Sequence, residues 1–140
     1  MVGRRPDTPP PTLAFSLDMA SGVPAYRQII DQILGAIASG ALAGGDQLPT
    51  VRQLAVDLSI NPNTVVRAYR ELEIRGVLTT QQGIGTFVTA LRVQPDEATR
   101  QRQLDQIVSD ALARAGAAGL AADELVTRLQ DFISEQRRPV

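Results

Sequence analysis

The sequence predicts a mainly α-helical chain with one small β wing, a helical head followed by a separate α-helical hairpin. Three observations carry this. Residues 47–88 hold two short helical segments, a tight turn between them and a Gly-rich hairpin. Upstream, Tyr26, Ile29, Ile30, Ile33, Leu34 and Ile37 recur at helical spacing as one buried stripe. From about Pro95 the pattern changes to two amphipathic segments broken by Gly116 and Gly119.

Residues 1–11, MVGRRPDTPPP, are Pro-rich with a basic pair and read as a disordered tail. Arg4 and Arg5 could touch a nucleic-acid backbone, but a solvated pair is the simpler reading. Leu13, Phe15 and Leu17 alternate with Ala14 and Ser16, which predicts a short strand. After the Ser21-Gly22 turn, Pro24 takes the first position of a helix that runs to about Ser39 and ends at Gly40. Gly44, Gly45 and Pro49 then punctuate a loop.

Thr50 can cap a helix from about Val51 to Leu58, whose apolar side is Val51, Leu54, Ala55 and Leu58. Asn61 followed by Pro62 starts the next helix. The Asn side chain satisfies first-turn N–H groups, and Pro tolerates the position that needs no donor. That helix should reach Arg75 and stop at Gly76, a left-handed terminator. Val65, Ala68, Tyr69 and Leu72 share its apolar face, while Asn63, Arg67 and Arg70 lie opposite. Strands at Val77 to Thr80 and Thr86 to Val88 flank Gln81-Gln82-Gly83-Ile84-Gly85. A short helix, a tight turn and a second helix with an Arg-bearing outer face describe a helix-turn-helix, and the hairpin is its wing. The predicted organisation is a tail over residues 1–11, a winged helix-turn-helix over 12–92 and a two-helix dimerisation segment over 93–136.

Composition narrows the chemistry. The chain has neither Cys nor His, so thiolate and imidazole metal sites are absent and no metal or cofactor is expected. Catalysis is disfavoured as well: the acids fall on polar helix faces, and GIGTF lacks the Lys and the following helix of a phosphate loop. No apolar run approaches the roughly 20 residues that span a bilayer. The N-terminus has no signal-peptide core, so a cytoplasmic location and no membrane partner are expected. All cations are Arg, whose fork suits phosphates and guanine edges. Residues 1–95 carry eight Arg against seven acids, and residues 96–136 four against eight. The acidic excess thus lies away from the predicted DNA-binding head. That head is only weakly basic, so pairing of two chains must supply much of the binding strength.

Here the residues also carry a resemblance. LPTVRQLA, NPNTVVRAYRELE and GVLTTQQGIGTFV resemble the winged helix-turn-helix of the GntR family of bacterial transcription regulators. The likeness extends upstream through GALAGGDQLP and FSLDMASGVPAYRQI, covering roughly Phe15 to Val88. The short helical remainder resembles the YtrA-type branch, whose C-terminal segment is a small dimerisation element. From the residues alone, the apolar stripes Leu104, Ile107, Val108, Ala111, Leu112, Ala115 and Leu125, Val126, Leu129, Phe132, Ile133 need a partner. It could be the winged head or a second copy; the resemblance implies a homodimer.

The candidate DNA-binding residues are Arg52, Asn63, Thr64, Arg67, Arg70, Gln82 and Gly83. Arg52 matches the Arg with which the family's LPSxRxLA motif reaches DNA. Asn63 and Thr64 lie in the first turn of the helix that enters the groove, although Thr64 could serve as a local helix-start hydrogen-bonder. Arg67 follows Asn63 on the outer face and is the choice for a base or phosphate contact. Arg70 could instead pair with Glu71, Glu73 or Asp57, and both readings stay open. The resemblance implies wing-tip contact for Gln82 and Gly83, whereas Gly85 fits a purely structural need. Many family members carry a basic or His residue where Gln82 stands, which implies a weaker wing here.

The expected function is sequence-specific DNA binding by a transcriptional regulator, a homodimer that represses from a palindromic operator. The alternative is a winged-helix protein–protein interaction module without sequence-specific DNA binding. The sequence leaves room for a small-molecule effector without identifying one. Two short helices offer too little wall for an enclosed pocket, so an effector is expected between subunits or between the hairpin and the head.

Overall fold

Local capping sets the helices of the head. The first, α1, spans Ala25–Ser39 behind Pro24. It sends Ile29, Ile30, Ile33 and Ala36 inward with no residual exposure. Thr50 accepts the Gln53 N–H and opens α2, Val51–Leu58. Asn61 accepts the Asn63 N–H and opens α3, Pro62–Ile74, with Pro62 in its first turn. Gly76, at φ 75°, follows α3 and turns the chain into the wing. The wing is an antiparallel pair, β1 (Leu78–Gln81) and β2 (Gly85–Val88), with Leu78 opposite Val88 and Gln81 opposite Gly85. These bounds follow the sequence expectations closely, because caps and turns are local chemistry.

The computed structural model of the chain describes residues 13–90 and 94–137. The expected tail over residues 1–11, with Arg4 and Arg5, lies outside them. The described residues fall into two compact units, one within 13–90 and one within 94–137.

In the first unit α3 is the hub, packing against α1, α2 and β1. Its Val65, Ala68, Tyr69 and Leu72 join the α1 isoleucines, Leu54 and Ala55 of α2, and Val77, Leu78 and Val88 of the wing in one core. The Tyr69 phenol donates to the Pro49 carbonyl at 2.7 Å, tying the middle of α3 to the entry of α2. Burial pushes that phenol's pKa well above its ordinary value.

Two features correct the sequence reading. The expected strand at residues 13–17 does not form. Leu13, Phe15 and Leu17 do pack on the core, but the intervening backbone, at Ser16 and Asp18, is bonded by amide side chains of α1. Gln32 accepts the Ser16 N–H at 3.1 Å and donates to the Ser16 carbonyl at 2.6 Å. Gln28 does the same for Asp18, at 2.8 and 2.9 Å. Second, residues 45–48 are more than a loop. Gly45 N–H and Leu48 N–H donate to Val88 and Thr86 carbonyls, and Val88 N–H donates to the Asp46 carbonyl, each at 2.8 Å. This strip runs along β2 and anchors the wing to the core.

The second unit is a helical hairpin, α4 (Glu97–Ala117) and α5 (Ala122–Arg137). Asp96 caps α4 by accepting the Thr99 N–H at 2.7 Å, a bond that lowers its carboxyl pKa. Glu124 caps α5 by accepting the Ala121 N–H at 2.7 Å. Ala115 is the one buried side chain among the described residues of this unit. Ile107 stays 64% exposed and Phe132 44%, so a single copy leaves its apolar stripes wet. A face of that kind is unusual on a chain that works alone.

Candidate nucleic-acid interface

The sequence makes α2 and α3 a helix-turn-helix through an unusual residue at the turn. Ser59 sits at φ 54°, a left-handed conformation, and its N–H closes α2 by donating to the Ala55 and Val56 carbonyls. Ile60 and Asn61 then lead directly into α3. Because the core fixes the Val65–Tyr69–Leu72 side, the opposite side of α3 must face outward.

On that outer side Asn63, Arg67 and Arg70 are exposed and line one open groove with Val66, Glu71 and Ile74. Thr64 is half-buried beside it, and its N–H donates to the Asn61 carbonyl at 3.0 Å. Arg52 is exposed in the first turn of α2. Gln82 and Gly83 are exposed in the turn of the wing. The structure therefore groups Asn63, Arg67 and Arg70 in a single groove, and holds Arg52, Gln82 and Gly83 on neighbouring elements.

The electrostatics of this surface come from which charges are already satisfied. Arg75 takes the Glu71 carboxylate at 2.8 Å. The Thr80 hydroxyl donates to Glu73, and the Gln53 amide donates to Asp57 at 2.7 Å. Glu71 is thus paired with Arg75, while Glu73 and Asp57 accept hydrogen bonds from neutral side chains. Among the described residues Arg52, Arg67 and Arg70 form no ion pair. Arg67 instead lies over the Tyr26 ring of α1, its guanidinium carbon 3.8 Å from the ring centroid.

The wing tip is shaped by Gly85 and Gln47. Gly85 has φ 148°, and a Cβ there would stand 2.5 Å from Gln47 Nε2. That same amide donates to the Ile84 carbonyl at 3.3 Å, bracing the turn. Gly85 therefore has the structural role expected of it. Gly83, at φ 77°, has open space around it. Sequence reasoning missed Tyr26 and Gln47 as parts of this surface, since helical periodicity assigns Tyr26 to the scaffold and nothing local marks Gln47. Among the described residues no cluster of acids could hold a metal, and no helix is long and apolar enough to cross a membrane.

Two helices joined by a tight turn, a cationic stripe without ion pairs on the second, and a braced Gly-tipped wing define a winged helix-turn-helix DNA-binding protein. Known proteins agree. Residues 25–88 match the sequence model of the bacterial regulatory proteins of the gntR family. Over 101 residues the chain is 38% identical to the HTH-type transcriptional repressor YtrA of Bacillus subtilis, spanning 69% of this chain and 78% of that protein. Among solved structures, YtrA from Sulfolobus acidocaldarius, a GntR-family transcription factor, superposes with a TM-score of 0.52 at 36% identity, covering 72% of this chain and 97% of that one. A transcriptional antiterminator from Listeria monocytogenes EGD-e superposes with a TM-score of 0.65 at 25% identity, covering 89% and 94%. The chain belongs to the GntR family and is a DNA-binding transcriptional regulator.

Proposed function

We propose that the protein is a homodimeric repressor that sets two copies of α3 on a roughly palindromic operator and occludes a promoter. The observation that carries this reading is the exposed stripe of Asn63, Arg67 and Arg70, whose two Arg form no ion pair among the described residues. A polar face with two Arg suits the major groove better than a dry protein interface. Asn63 and Arg67 read base edges, with Arg70 further along the same groove. Arg52, Thr64, Gln82 and Gly83 fix register on phosphates and sugars. Repression is supported by the name of the similar Bacillus subtilis repressor.

The hairpin over residues 93–136 holds the dimer, and residues 12–92 form the DNA-binding domain. Leu104, Ile107, Val108, Leu112, Val126 and Leu129 are too exposed to be satisfied in one copy. Closed two-fold pairs are the commonest way to cover such a face. An effector, where one acts, works by changing the spacing of the two α3 helices. The protein acts in the cytoplasm and has no catalytic role of its own. A gel shift with genomic fragments against scrambled fragments of equal length tests the reading. Retention of particular fragments at moderate salt is expected. Equal, weak retention of every fragment would favour the protein–protein module instead.

A further inference from the structure

Arg52, Arg67 and Arg70 make no ion pair among the described residues, and of the three only Arg67 is held there by another side chain. We infer that Tyr26 is a positioning residue for DNA reading: its ring on α1 fixes the Arg67 guanidinium in the orientation that reads a base edge. The inference rests on the proposed role of Arg67.

A guanidinium uses two orthogonal sets of interactions. Its flat face stacks on an aromatic ring, while its N–H donors lie in the plane and point outward from the edge. At 3.8 Å from centroid to guanidinium carbon, Tyr26 occupies one face. Among the described residues, no hydrogen bond or ion pair is drawn from the Arg67 edge, which stays available to a guanine. The ring itself is well anchored. Tyr26 lies in the first turn of α1, half-buried on the core, one turn before the fully buried Ile29 and Ile30. A long flexible side chain thereby gives up its rotamer freedom before DNA arrives, so less is lost on binding. Among the described residues Arg70 and Arg52 have no such aromatic support. Tyr26 and Arg67 therefore carry base preference as a unit, and the two unsupported Arg residues contribute mainly charge.

The probe is the duplex that the full-length wild-type chain selects from a random library, together with its complete set of single base-pair substitutions. Affinities are measured for wild type, Tyr26→Phe, Tyr26→Leu, Arg67→Ala and the Tyr26→Leu, Arg67→Ala double variant. Tyr26→Phe should bind within about twofold of wild type, since the ring face is kept. Tyr26→Leu should bind the selected duplex roughly three- to tenfold more weakly. It should relax preference at the base pair that Arg67→Ala relaxes, and the double variant should be no weaker than Arg67→Ala alone. Tyr26→Leu that weakens all duplexes equally, or keeps full preference at that pair, would overturn the inference while leaving Arg67 as a reader. Arg67→Ala that changes preference at no pair would remove the underlying reading and the inference with it. Proton NMR of the DNA-free wild-type chain gives a reading that needs no variant. The Arg67 side-chain resonances should be displaced upfield by the Tyr26 ring current, and ordinary positions for them would overturn the inference.

Discussion

Replacing Tyr69 with Phe separates two contributions of one buried hydroxyl. Tyr69 is only 3% exposed and its phenol donates to the Pro49 carbonyl at 2.7 Å. Phe keeps the ring in the core but leaves that carbonyl without its donor, a loss of about 1–2 kcal/mol at neutral pH. In a unit of about 80 residues that is a fall in Tm of roughly 5–15 °C. The alkaline response should move the opposite way. Burial raises the folded phenol's pKa above its ordinary 10.0, so the unfolded chain loses this proton first. The stabilisation is whole below that value and is lost as pH rises through it. Between pH 9 and pH 11 the wild type should give up about 1.4 kcal/mol through Tyr69. The chain has no Lys, Cys or His, so its two tyrosines dominate side-chain titration in this window. Tyr69→Phe lacks the Tyr69 part. The two stability curves, from denaturant melts of the full chain at several pH values, should therefore converge near pH 11. Parallel curves would refute the claim that this phenol stays neutral and buried.

Three further outcomes follow from the same geometry. Ending the chain after residue 94 should leave a folded, monomeric head that binds the selected operator far more weakly, because each half-site is then held alone; sedimentation as a dimer would refute the role of the hairpin. Arg67→Ala should cost roughly 1–3 kcal/mol and relax one operator position, whereas Arg52→Ala should weaken all sequences alike and flatten the salt slope by about one unit, as titrations at several salt concentrations would register. Ser59→Gly should stabilise the head by up to about 1 kcal/mol in thermal melts, because it relieves the left-handed backbone at φ 54°.

Much of the head was legible in the sequence because its boundaries are written in caps. Thr50, the Asn61-Pro62 pair and Gly76 act on backbone groups within a few residues, so the helix-turn-helix can be read without the fold. The start of α4 shows the limit of periodicity. Its apolar stripe begins at Leu104, yet the helix begins at Glu97, set by the Asp96 cap before about two turns in which Ala98 is the one apolar residue. Long-range partners were illegible. The Gln28 and Gln32 side chains that bond the N-terminal segment lie 10 and 16 residues from their targets. Residues 45–48 open on the second of two loop-forming glycines, Gly44 and Gly45, and give no sign that they run along β2. At the interface Asn63, Arg67 and Arg70 followed from helix phase, whereas Arg52, Gln82 and Gly83 rested on the resemblance. The open question at Arg70 turned on which side chains meet Glu71, Glu73 and Asp57, and in the fold these are Arg75, Thr80 and Gln53. Tyr26 belongs to the apolar stripe of α1 and also faces Arg67, and a single phase cannot express both.

The central claim is that α3 reads DNA in a pair of chains. Its most direct test is selection from a random duplex library by the full-length protein, with an Asn63→Ala, Arg67→Ala double variant run in parallel. The wild type should enrich two inverted copies of one short element at fixed spacing, and the double variant should lose or alter that element while keeping its fold. Enrichment of a lone half-site, of nothing, or of the same element by both proteins would contradict it.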